Sequence, residues 1–237
     1  FRGNQVPCGE AVCRGVECSC SRYVEIWNNV FMEFDRQSDG HLTPLPAPSI
    51  DTGMGLERLC AVLQGVESNY DTDLFAPLLG AIGALAGKKY SRSMSAADVS
   101  MRVVADHSRA MTFLIADGVI PSNEFRGYVL RKIMRRAMRH GMRLGITETF
   151  LHELVDVIAR EMGDAYPELR SNRDTVFSIV RNEEERFSAV LAGGLPRLED
   201  AVERDPLVVA HPLGGHGAPA GVQDVGLRGG RGRRYRP

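Results

Sequence analysis

No run of about 18 apolar residues occurs in the 237-residue sequence, so no transmembrane helix is expected. No apolar signal core follows the N-terminus and no methionine opens the chain, which reads as beginning inside a longer protein. Neither G-x-G-x-x-G nor G-x-x-x-x-G-K-[ST] is present, which excludes the dinucleotide fingerprint and the P-loop. An excess of one charge is also lacking. Lys and Arg number 29 against 30 Asp and Glu, a formal net charge of −1, so a polyanion partner would need a local patch. Cysteine is nearly absent beyond the start: Cys8, Cys13, Cys18 and Cys20 come early and only Cys60 follows. Their spacing does not match the usual zinc arrangement of a C-x₂₋₄-C pair with a distant second pair. A zinc site from the first four and plain reduced thiols are both open readings; the expectation is reduced thiols and no metal. At 43% hydrophobic and 25% charged, the chain has the composition of a globular protein of one large or two small domains.

What is present is organised around Ser49–Arg58, SIDTGMGLER. Gly53 and Gly55 permit positive φ and a close approach of backbone to a ligand. Leu56–Leu63 then reads as a helix with Leu56, Leu59, Cys60 and Leu63 on one face. Arg58, in its first turn, is a permanently charged donor able to hold a phosphate in bidentate fashion. The same pattern also fits a tight turn followed by a solvated Arg. Asp51 enters the bend either as a carboxylate in a partly desolvated cleft, suited to an ammonium group, or as a local Asx turn.

Upstream, Tyr23–Asp35 alternates as a strand, with Val24, Ile26, Val30, Met32 and Phe34 on one face and Trp27 and Phe31 on the other. Asn28 interrupts the apolar face. If buried, it needs hydrogen-bond partners, either a neighbouring backbone group or a ligand in a pocket. Asp39-Gly40 marks a hairpin turn, and Pro44, Pro46 and Pro48 keep the following segment extended. Ala76–Ala86 reads as helix and residues 87–97 as a linker. From Val99 the pattern is helical, including 103–118, 147–162 with Thr147 as cap, and 174–191. Gly193, Gly194 and Pro196 should weaken the last helix, and Glu183, Glu184 and Glu185 read as a solvated face. Ser122 is the expected cap of a helix over 126–143.

That helix, RGYVLRKIMRRAMRHGMR, has no acid. Arg131, Lys132, Arg135, Arg136, Arg139 and Arg143 fill one arc of the wheel, with Arg126 at its start. Val129, Leu130, Ile133, Met134, Ala137 and Met138 fill the other. Like charges at i,i+4 repel, so the arc favours nucleic acid over a merely solvated basic face.

The bend and this helix both resemble one family. GMGLERL is similar to motif 3 of the class II aminoacyl-tRNA synthetases, and Pro44–Phe75 resembles the alanyl-tRNA synthetases in particular. VIPSNEFRGYVLRKIMRRAMRHG resembles them again, and EERFSAVLAGG echoes them from Glu184 to Gly194. The likeness covers about Ser21 to Glu203. It implies an α+β fold: residues 23–90 as the C-terminal part of an antiparallel-sheet catalytic domain carrying motif 3, then 98–204 as an all-helical tRNA-recognition domain. Residues 1–22 are expected to be irregular and 205–237 a disordered Gly/Arg-rich tail.

The implied chemistry is ATP- and Mg²⁺-dependent activation of alanine and its transfer to tRNA(Ala). The resemblance implies Arg58, Gly53 and Gly55 for ATP, and Asp51, Asn28 and Trp27 for alanine. It implies Asn123, Arg126, Arg131, Lys132, Arg135, Arg136 and Arg139 for the tRNA acceptor stem. Motifs 1 and 2 and the zinc-bearing editing domain have no counterpart, so that zinc is not expected, and this chain alone is expected to lack amino-acid activation. The alternative is a non-catalytic RNA-binding helical module. The expected compartment is cytoplasmic, with mitochondrion or plastid as alternatives, and no membrane partner is implied.

Overall fold

A computed structural model describes residues 8–204, apart from 19 and 21. The expected tail and the first seven residues lie outside the described residues. Trp27–Arg36 forms β1 and Leu42–Met54 forms β2. The helices are α1 (Leu56–Leu63), α2 (Ala76–Ala86), α3 (Ala96–Ala116), α4 (Phe125–Leu144), α5 (Leu151–Met162), α6 (Glu168–Ser171) and α7 (Arg173–Arg204). The chain divides into two compact units, 1–188 and 189–237. In the second, the described part is the end of α7, which carries Pro196 within it rather than stopping there. Among the described residues no helix is long and apolar enough to cross a membrane.

The two strands pair antiparallel, with Trp27 opposite Met54 and Phe31 opposite Ile50. The turn follows the sequence: Gly40 takes φ 89°, and Gln37 and His41 close it with a 2.9 Å hydrogen bond. The register slips between Met32 and Phe34, opposite the proline-rich stretch 44–48. Prolines have no N–H to give a ladder, so a break there is the expected response. The apolar face read for this strand is not buried. Val30, Met32, Phe34, Trp27 and Phe31 are all exposed, as are Leu56 and Leu63 of α1. A hairpin of two strands has no third layer to lie against, so alternation alone buries nothing.

The core lies elsewhere. Leu78, Leu79 and Ile82 of α2 join Met101, Val104 and Met111 of α3, Leu130 and Met134 of α4, Leu151, Leu154 and Val155 of α5, and Val176 and Val180 of α7. The linker read at 87–97 therefore falls inside one packed unit. α3 starts where a side chain supplies the missing partner: Ser95 Oγ accepts from the Asp98 amide at 3.2 Å. Asp98 is buried and accepts from the amides and hydroxyls of Ser91 and Ser93 at 2.6–3.2 Å. Burial pushes its pKa up, but these hydrogen bonds outweigh that and hold it at about 2, below the ordinary 3.8.

Asp98→Asn is expected to cost about 1–3 kcal/mol at neutral pH, measured by urea unfolding. Because the folded pKa is depressed, the Asp98 contribution is present above the unfolded value and is lost as pH falls from 3.8 to about 2. The Asp98→Asn variant should lose less stability than the parent over that interval.

Two further expectations change. Ser122 does not cap α4: its hydroxyl donates to the Glu124 carbonyl at 2.9 Å and accepts from the Glu124 amide, making a local turn before the helix opens at Phe125. Thr147 does not cap α5, which opens at Leu151. Its cap comes from α7. Glu184, read as part of a solvated face, is buried, and its carboxylate accepts from the amides of Phe150, Leu151 and His152.

Candidate functional site

The bend leads directly from β2 into α1, and the hairpin register sets what faces it. Asn28 lies opposite Gly53, and Val30 opposite Asp51. Paired residues and those two apart share a face, so Asn28, Gly53 and Asp51 lie together. Trp27 pairs with Met54 and sits on the other face, half exposed. Asn28 is exposed rather than buried, and its Nδ2 donates to Glu25 Oε1 at 3.2 Å. Asp51 is likewise exposed, not in a closed cleft.

Neither glycine of the bend takes the left-handed conformation; Gly55 has φ −79°. Their role is space. A Cβ on Gly55 would lie 3.3 Å from Arg58 Cδ, so the missing side chain lets the Arg58 stem fold back across the turn. A Cβ on Gly53 would meet Asn28 Oδ1 at 3.5 Å. Arg58 Nη1 donates to the Glu25 carbonyl at 2.8 Å, which aims the guanidinium, and among the described residues it forms no ion pair. It borders a cleft of about 400 Å³ lined also by Val24, Ala61, Val62, Val66 and Asn69. Glu25 thus holds both Arg58 and Asn28, through its carbonyl and its carboxylate respectively.

One pair the sequence reading missed anchors this patch. Glu57 Oε1 accepts from Arg109 Nη2, a residue of α3, and the Arg109 guanidinium lies 4.2 Å from the Phe75 ring centroid. α1 is therefore tied to the helical core by an ion pair joining residues 52 positions apart. No periodicity signals a contact of that separation.

The basic arc of α4 splits into two groups. Arg131 and Arg135 face α7, where buried Glu183 receives both: Arg131 Nε lies 3.1 Å and Arg135 Nη2 3.0 Å from Glu183 Oε1. Arg135 also lies over the Phe187 ring. Arg126, Lys132, Arg136, Arg139 and Arg143 remain exposed. Beside them stand exposed Phe125 and Tyr128, with Lys132 Nζ 5.4 Å from the Tyr128 ring centroid. Val129, read as packed, is exposed among them. His140 points away, with Nδ1 3.0 Å from Ser100 Oγ. Burial and the neighbouring Arg143 and Arg136 lower its pKa, so it adds no charge at neutral pH.

Asn123 precedes the helix and is exposed. Its Oδ1 accepts from Arg131 Nη1, while Arg131 Nη2 donates to the Pro121 carbonyl at 3.3 Å. Arg131 thus ties the Asn123 side chain to the turn at Pro121. An exposed amide donor, a cationic stripe and two aromatic rings make a surface able to contact phosphates, base edges and base faces.

The chain matches the family model of the tRNA synthetases class II (A) over residues 5–208. It is 54% identical over 208 residues to alanine--tRNA ligase of Anaeromyxobacter sp. (strain Fw109-5), covering 86% of this chain and 23% of that protein. It is 60% identical over 181 residues to alanine--tRNA ligase of Magnetococcus marinus, covering 76% of this chain and 21% of that protein. The chain spans less than a quarter of the length of these curated relatives.

Proposed function

The chain belongs to the tRNA synthetases of class II (A), and on that premise we propose that it serves as the motif 3 and acceptor-stem portion of an alanine–tRNA ligase. The observation that carries this reading is the sustained identity to proteins of that name, 54% across 86% of the chain. A match of that extent takes in both the bend and the basic helix.

In this reading alanine attacks the α-phosphate of Mg-ATP, pyrophosphate leaves, and the tRNA 3′-terminal ribose then takes the alanyl group. Arg58 binds the triphosphate, with Gly53 and Gly55 keeping the approach to the backbone clear. Asp51 receives the substrate ammonium, and Asn28 hydrogen-bonds nearby. Trp27, on the far face of the hairpin, would act by supporting the strand rather than by touching alanine. Such catalysis works through positioning and charge neutralisation. The two-stranded sheet leaves this patch open on both faces, which supports the view that the chain alone does not activate alanine. The bacterial relatives favour a cytoplasmic site of action.

The acceptor stem lies along α4 in this proposal, with Asn123 donating to a base edge in the wide minor groove of A-form RNA. The test is binding of the chain to tRNA(Ala) and to the same tRNA altered at its acceptor-stem identity pair. The expected result is a preference for the intact pair that Asn123→Ala abolishes, worth about 1–3 kcal/mol by analogy with base contacts elsewhere. Equal affinity for both RNAs would sink the role of Asn123.

A further inference from the structure

We propose that Cys8, Cys13, Cys18 and Cys20 bind a single zinc ion as a closed tetrathiolate site. The inference stands on geometry that the C-x₄-C-x₄-C-x-C spacing hides. The four sulfurs all lie within 4.8 Å of one another. Cys8 and Cys18 Sγ are 3.5 Å apart, and Cys13 and Cys20 Sγ 3.7 Å. Zinc–sulfur bonds of about 2.3 Å in a tetrahedron put the sulfurs about 3.8 Å apart. The four positions are therefore nearly those that one ion requires.

The surrounding loop argues that this convergence is not packing. Val12 and Val16, its aliphatic residues, are 77% and 81% exposed. The thiols turn toward one another instead, with Cys8, Cys13 and Cys20 partly exposed and Cys18 buried. A loop that exposes valines and gathers thiols is not organised by the hydrophobic effect, since a thiol offers only weak hydrogen bonding in return. Two disulfides are the other way to use four thiols, but all five cysteines of the chain are free. A pair of disulfides would also pull two couples to about 2.0 Å, where the structure places four sulfurs at mutual contact.

Backbone hydrogen bonds from Glu10 to Cys8, from Cys20 to Cys18 and from Arg22 to Cys20 complete the arrangement. Amide donors of this kind offset thiolate charge around a metal. An all-sulfur tetrahedron selects zinc or an iron–sulfur centre. The close mutual spacing fits one ion, since a multinuclear cluster needs its four ligands further apart. With four thiolates and no carboxylate or imidazole, the site has no open position for a substrate, so its role is structural.

What it would hold is specific. Cys20 lies five residues before Glu25, whose carbonyl aims Arg58 and whose carboxylate holds Asn28. The ion would pin the chain just ahead of the hairpin, in a segment with no core of its own. This proposal does not depend on the ligase reading.

The test is metal analysis of the full 237-residue chain, purified without chelator. The expected content is about one zinc per chain, with Cys60 alone reacting quickly with a thiol reagent until the metal is removed. Cobalt in place of zinc should give the intense visible bands of tetrahedral cobalt–thiolate. Cys60→Ser should keep the metal, and Cys13→Ser combined with Cys20→Ser should reduce it to under about a tenth. Three results would overturn the proposal: a wild-type chain with only trace metal and five reactive thiols, a mass showing two disulfides, or full zinc in the double variant. The metal content and cobalt spectrum of the unmodified chain answer the question even if the double variant fails to fold.

Discussion

Glu184→Gln is expected to destabilise the helical unit by about 3–5 kcal/mol, a larger loss than that of Asp98→Asn. One Glu184 oxygen accepts from the Phe150 amide at 3.0 Å and the Leu151 amide at 2.9 Å. The other accepts from the His152 amide at 3.2 Å and lies 2.9 Å from His152 Nδ1. These are the orphan donors of the first turn of α5, whose preceding residue, Phe150, has no side chain able to cap. The carboxylate also meets the positive end of the helix dipole. Glutamine keeps the shape but turns an amide donor toward other donors and removes the charge. The group is buried, so water cannot step in. The measurement is urea unfolding followed by far-UV circular dichroism. A loss below about 1 kcal/mol would mean that α5 does not draw its cap from α7.

The second large effect separates two sets of cations that look identical in sequence. Lys132→Ala, Arg136→Ala and Arg139→Ala together are expected to weaken tRNA binding at low salt by about 100-fold. They should also flatten the slope of log K against log salt by about 2–3. All three are exposed and lie along one side of α4, so their loss should leave the fold unchanged. Arg135→Ala should do the reverse. It removes a partner of buried Glu183, 3.0 Å away, and so should lower stability while leaving the salt slope nearly as it was. Fluorescence anisotropy with labelled tRNA at several salt concentrations, beside unfolding curves for each variant, reads both quantities. If Arg135→Ala flattens the slope as much as one of the exposed cations does, the division of the arc is wrong.

Much of the architecture was legible because its causes are local. The turn at Asp39-Gly40 needs one residue of positive φ, and Gly40 supplies it. Leu56–Leu63 forms the helix that its spacing predicts. The basic helix begins and ends within a residue of the range read from sequence. Motif resemblance pointed to Asn28, Gly53 and Arg58, and the strand register and the Glu25 carbonyl do bring them into one patch. Side-chain identity was equally clear, but not which side chain meets which. Glu183 and Glu184 follow one another in a charged run, and only packing against α4 and α5 turns them inward.

The sequence by itself determined most of the helices, though not α6 or the run of α7 through Pro196, and the hairpin, the glycine bend and the family to which the chain belongs. Each rests on periodicity or on short contiguous motifs, whose information lies within a few turns of chain. Tertiary structure decided which arginines of α4 are free, what caps α5, that Glu57 reaches Arg109, and that four irregularly spaced thiols converge. It also decided that the alternating hairpin stays exposed. The physical reason is the same in each case. Burial and ion pairing depend on which surface arrives from far along the chain, and an amphipathic pattern shows that a face is available without showing what covers it.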